Sequence, residues 1–109
     1  MGFTKPLTIN GFVNLGTAMR AAGYGGGGMV SSGGIFNPDA AVLLYLHLTE
    51  TASTAPATGT DGWPIGAGAT AAGNAFFFDR GANQSSLDIG TTWLYAPSSI
   101  VIKVIVTGA

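Results

Sequence analysis

No stretch of this sequence sustains an apolar period of 3.6 residues. Apolar residues instead recur at every second position, in short runs that glycine and proline cut off. That pattern is the signature of β-strands rather than helices. Ile100–Val106 shows it best: Ile100, Ile102, Val104 and Val106 face one way, with Val101, Lys103 and Ile105 opposite. Thr91–Ala96 is a second strand, and the intervening Pro97-Ser98-Ser99 predicts a turn joining the two as a hairpin. Ala41–Thr49 is a third, with Val42, Leu44, Leu46 and Leu48 on one face and Leu43, Tyr45 and His47 on the other. Ala75–Asp79 is a fourth. Turn signals at 58–62, 66–68 and 81–83 separate them. Several short strands between glycine-rich turns predict a mainly β protein, an antiparallel β-sandwich of jelly-roll-like form.

The first third reads differently. Residues 1–38 are nearly uncharged, rich in glycine and contain the run Gly25–Gly28, whose backbone loses more entropy on ordering than any other. Phe3, Leu7, Ile9, Phe12, Val13, Leu15, Met19, Tyr24 and Met29 stud this segment. The expectation is a flexible N-terminal arm over 1–38 that orders against a neighbour, followed by a β domain over 39–109. Within the arm, Asn10-Gly11 is a type I′ hairpin signal, and Thr17–Ala22 has room for a short helical turn.

Charge narrows the function. Only nine of 109 residues are charged, four Lys/Arg and five Asp/Glu, for a net charge of −1. A typical soluble domain has about 25% charged residues. No basic patch exists for nucleic acid or an anionic membrane surface. The longest uninterrupted apolar run, Ala40–Leu46, is far short of a membrane span. Pro6, Asn10 and Asn14 interrupt any secretory signal, and Pro6 stands where a myristoylation motif needs Ser or Thr. Cysteine is absent, which removes disulfides, thiolate metal sites and a Cys nucleophile.

The candidates for chemistry are few. Gly23, Gly25 and Gly28 match a dinucleotide fingerprint, but no strand precedes them and no helix follows. His47, the only general base available, lies among leucines and reads as a packed histidine. No serine lies in a nucleophile-elbow motif, and Ser98 and Ser99 read as turn formers. Asp79 and Asp88 could pair as glycosidase carboxylates; an ion pair of Asp79 with Arg80 or Lys103 is the simpler reading. Asp61, Asp79 and Asp88 lack the spacing of a calcium loop. Asn83-Gln84-Ser85 is a formal glycosylation sequon. No enzyme activity, metal or cofactor is expected. Trp93 and Tyr95 share a strand face and are expected in the core. Trp63 follows Asp61-Gly62 at a turn, where it either stands exposed as a contact residue or folds back to cap the domain.

Gly62-Trp63-Pro64-Ile65-Gly66-Ala67-Gly68, Asn74–Asp79, Thr92–Ala96 and Ile100–Val106 form a succession that resembles small β-sandwich virion proteins of tailed bacteriophages, over residues 41–107. The resemblance implies a capsid decoration (cement) or head-fibre protein on the virion surface, with no catalytic residues. Its partners would be the major capsid protein or another virion protein and further copies of itself, a trimer among the arrangements that fit. The arm has no counterpart in that family; its own apolar residues Phe3, Phe12, Tyr24 and Met29, together with Trp63, are the expected assembly contacts. The alternative is a carbohydrate-binding or adhesin-type module, with Trp63 stacking on a sugar and Asp61 or Asn74 supplying hydrogen bonds.

Overall fold

The computed structural model of the protein describes residues 3–49, 54–66, 75–79 and 87–106. Among these, β1 (Phe3–Asn14) leads into a short helix, α1 (Leu15–Ala21). Strands β2 (Met29–Val30), β3 (Ser32–Phe36), β4 (Leu44–Leu48), β5 (Trp63–Ile65), β6 (Ala75–Asp79) and β7 (Leu87–Asp88) follow. A 3-10 turn at Ile89–Thr91 then opens the longest strand, β8 (Thr92–Val106). The protein is mainly β, and every strand pairing is antiparallel.

β8 is the axis of the sheet. One of its edges pairs with β1 from Phe3↔Val106 to Asn14↔Trp93. The other edge pairs first with β4 (Leu48↔Thr92 to Tyr45↔Tyr95) and then with β3 (Phe36↔Lys103 to Gly33↔Val106). β5 extends the sheet beyond β4, and β6 extends it beyond β3. The sheet curls into a nearly closed, barrel-like form and is not clearly the sandwich expected from the strand pattern.

The expected hairpin at 97–99 is absent, and its residues do something else. Ile9 pairs with Ile100 and Gly11 with Ala96, so the one residue Asn10 lies opposite the three residues Pro97, Ser98 and Ser99. The chain does not reverse there; β8 bulges. Proline suits such a point because it has no N–H for a ladder. The excess of two residues is even, so the alternation of faces survives the bulge. Leu94 and Ala96 before it, and Ile100, Ile102, Val104 and Val106 after it, therefore enter one interior. Asn10-Gly11 likewise fails to reverse the chain. A type I′ turn needs positive φ at both central residues, and here only Gly11, at +66°, has it.

The segment expected as an arm is built into the sheet. Phe3, Leu7, Ile9, Leu15, Met19, Tyr24, Val30 and Ile35 supply eight of the eighteen buried apolar residues described. The helical turn expected at 17–22 occurs as α1, capped by Asn14, whose side-chain oxygen accepts from Thr17 N–H at 3.0 Å. Its Leu15 and Met19, four residues apart, face the core together. The glycine run is held by its neighbours. Tyr24 Oη donates to the Gly27 carbonyl at 2.8 Å, and Arg20 donates to that of Gly26 at 3.0 Å. The Arg20 guanidinium also lies 5.7 Å from the Tyr24 ring centre, and Phe3 meets that ring edge-on. The apolar anchors thus offset the entropy that glycine loses, within the chain itself.

Candidate functional site

Alternation puts Trp93, Tyr95, Val101, Lys103 and Ile105 on the outer side of β8, away from the aliphatic interior. Before the bulge this outer side is aromatic and covered. Phe12, directly opposite Tyr95, brings its ring to 4.8 Å from that ring, 6.5 Å from Trp93 and 5.6 Å from His47. Tyr45 of β4 adds a fifth ring at 6.3 Å from Tyr95. Trp93 and Tyr95 are therefore half-buried on this outer face rather than in the main core.

The segment 54–62 lies over this cluster. Gly59 is buried against the Tyr95 ring, where any side chain would overlap ring carbons. A Cβ on Gly62 would stand 2.6 Å from His47 Nε2 and 2.7 Å from the Leu46 carbonyl oxygen. His47 is packed, as expected from its leucine neighbours; its Nε2 lies 2.8 Å from the Gly59 carbonyl, so Nε2–H donates there. That nitrogen is spent on the loop. Trp93 Nε1 is buried with no acceptor among the described residues.

After the bulge the same side of β8 is open. Val101 is 54% exposed and Ile105 41%, with exposed Lys103 between them. Register places Thr8, Pro6 and Thr4 of β1 opposite these three, and all are exposed. On the other flank, Gly34 and Phe36 of β3 pair with Ile105 and Lys103. The result is a sheet face of aliphatic, proline and threonine side chains around one cation. Such a surface offers contact area and no acid–base chemistry.

The expected contact residues separate in the structure. Phe3 and Tyr24 lie in the chain's own core, and Phe12 in the covered aromatic cluster. Met29 and Trp63 are exposed, Trp63 by 66%. Trp63 is not at a turn but opens β5, opposite Leu46, and it does not fold back to cap the domain. The two stand on different strands; Phe3 and Tyr24 meet edge-on inside the core, and the five do not form a single patch.

The other candidates resolve as follows. The Asp88 carboxylate accepts from Gly90 N–H at 2.9 Å and caps the 3-10 turn. The Asp79 side chain, Arg80, Asn74 and the sequon at Asn83 lie outside the described residues. Among the described residues no group of three His, Cys, Asp or Glu side chains could hold a metal ion. Gly23, Gly25 and Gly28 follow a helix and precede a strand, the reverse of a dinucleotide site. A cleft of about 210 Å³ between α1 and the 3-10 turn is bounded by Asn14, Thr17, Arg20, Gly28 and Gly90. It is smaller than the roughly 300 Å³ at which small-molecule sites begin. No helix among the described residues is long and apolar enough to cross a membrane.

Two residues that sequence reasoning passed over hold the crossing from β3 to β4. Asn37 is fully buried; its amide donates to the Val42 and Ile65 carbonyls at 2.9 and 3.2 Å, and its oxygen accepts from Asp39 N–H at 3.1 Å. Asp39 in turn accepts from the N–H groups of Ala41 and Val42 at 2.9 and 2.6 Å. Those bonds hold its carboxyl below the ordinary value of 3.8. Asn37-Pro38-Asp39 is a turn signature by composition, which was the available clue.

Comparison with protein-family models, curated proteins and solved structures found no match for this chain.

Proposed function

We propose that the chain is a structural assembly protein, a virion component of the capsid-decoration kind, which binds through the uncovered outer face of β8 rather than through an N-terminal arm. The observation that carries this reading is the exposure of Val101 and Ile105, on either side of Lys103, on one regular sheet face. A chain with so few charges gains from covering such a surface, because little else keeps it from associating. The sequence resemblance over 41–107 supplies the class of particle. Apolar burial would provide the affinity of each contact, and repetition over a lattice would multiply it.

The test replaces Val101 and Ile105 together with lysine and measures co-sedimentation with particles or self-association by analytical ultracentrifugation. Association falls sharply while the circular dichroism spectrum is kept. Undiminished association by a folded variant overturns the reading. The exposure of Trp63 favours a second one, a carbohydrate-binding module. Loss of glycan-array signal in Trp63→Ala, with particle association intact, would select it.

A further inference from the structure

Asn10-Gly11 is the sequence motif whose expected turn does not form, and its place in the fold gives it different chemistry. It lies where β1 and β8 lose register, opposite exposed Pro97, Ser98 and Ser99. Asn10 is exposed, and its side chain makes no hydrogen bond among the described residues. Gly11 sits at φ +66°, and nothing lies within 4 Å of where a Cβ would be. The glycine carries no side chain, and no other segment crowds its Cα on that side, so nothing there hinders ring closure by the Asn10 side chain.

We infer that Asn10-Gly11 is a site of spontaneous deamidation, at which the exposed asparagine closes onto the peptide nitrogen of the uncrowded Gly11 at the β1–β8 register break. Hydroxide removes the proton of that nitrogen, which attacks Asn10 Cγ. The new N–Cγ bond displaces Nδ2, which leaves as ammonia after taking up a proton, and a five-membered imide results. Water then opens either carbonyl of the imide. Cleavage of the N–Cγ bond leaves aspartate at position 10. Cleavage at the α-carbonyl leaves isoaspartate, with the chain routed through Cβ and Cγ and one backbone atom longer. Each product adds a negative charge, and solvent water is the only co-reactant.

Two other asparagines show why the site is selective. Asn14 is held at both ends, donating to the Gly90 carbonyl and accepting from Thr17 N–H. Asn37 is buried and precedes Pro38, whose nitrogen has no hydrogen to lose. The isoaspartate product would also reach the covered aromatic face. The residue after the break, Gly11, begins the Gly11–Asn14 stretch that is registered against Trp93–Ala96. One added backbone atom displaces Phe12 from its contact with Tyr95.

The experiment ages the full-length protein in mildly alkaline buffer and follows each asparagine by peptide mass mapping. Isoaspartyl methyltransferase labelling separates the two products. Position 10 loses its amide, faster at higher pH, while Asn14 and Asn37 keep theirs. The aged protein loses near-ultraviolet circular dichroism from the aromatic cluster, and Asn10→Gln, whose ring closure is slower, retains both amide and signal. Conversion at Asn10 no faster than at Asn14 overturns the proposal. So does an intact Asn10 in the folded protein when the urea-unfolded chain converts there.

Discussion

The two halves of β8 carry the same alternation and reach opposite outcomes on their outer side. On the inner side they are equivalent: Leu94 and Ala96, like Ile102 and Val104, are fully buried in one interior. On the outer side, Trp93 and Tyr95 are covered by Phe12, His47 and the 54–62 segment, whereas Val101, Lys103 and Ile105 face solvent. The difference does not come from hydrophobicity, since valine and isoleucine are no less apolar than tyrosine. It comes from what the neighbouring chain can bring over each half. The cover on the first half depends on glycines whose missing side chains allow backbone to lie on aromatic rings. The described residues bring no such cover to the second half.

The largest expected effect tests the shared interior. Leu94→Ala and Ile102→Ala should each lower unfolding free energy by about 2–5 kcal/mol, measured by urea denaturation. A loss below about 1 kcal/mol at either position would mean that its half does not belong to the common core. Next comes the cover itself. Gly59→Val drives a branched side chain into the Tyr95 ring and should cost about 1–3 kcal/mol, with loss of near-ultraviolet circular dichroism. Lys103→Val on the open half should stay within about 0.5 kcal/mol of the parent. Equal responses at the two positions would erase the contrast between covered and open halves.

The smallest effect concerns the crossing between the halves, because β3 pairs with the second half and β4 with the first. Asp39 holds that crossing through bonds made by its ionised form, so its carboxyl is easier to deprotonate in the folded chain. Its stabilisation is complete above the ordinary carboxylate value. It fades as pH falls through the lowered folded value. Thermal melting from pH about 5 down to about 2 should therefore show a falling midpoint, with a shallower slope in Asp39→Asn. An unchanged slope would remove Asp39 as the titrating group.

Much of the strand content was legible because alternation is local. Ile100–Val106 and Leu44–Leu48 needed only their own side chains to be read. The bulge at Pro97-Ser98-Ser99 was not legible, because turn residues serve a reversal and a bulge equally well. Which one forms depends on whether a long partner, β1, pairs with both flanks. The open face at Val101 and Ile105 was visible as alternation but not as exposure. Exposure is decided by what the rest of the chain lays across it.

The sequence by itself determined the class of structure: periodicity of two, glycine-rich punctuation and scarce charge leave an antiparallel β protein with little stock for catalysis. Only the tertiary structure decided the role of the first third. Isolated, a glycine-rich segment loses too much entropy to order. Paired along β8, with Phe3, Leu7, Ile9 and Tyr24 buried, it gains enough apolar burial to become part of the sheet. Those apolar anchors are spent inside the chain itself. Among the described residues, the apolar side chains that stay exposed are Val101 and Ile105 on the outer face of β8 and, elsewhere, Met29, Leu43, Leu48 and Trp63.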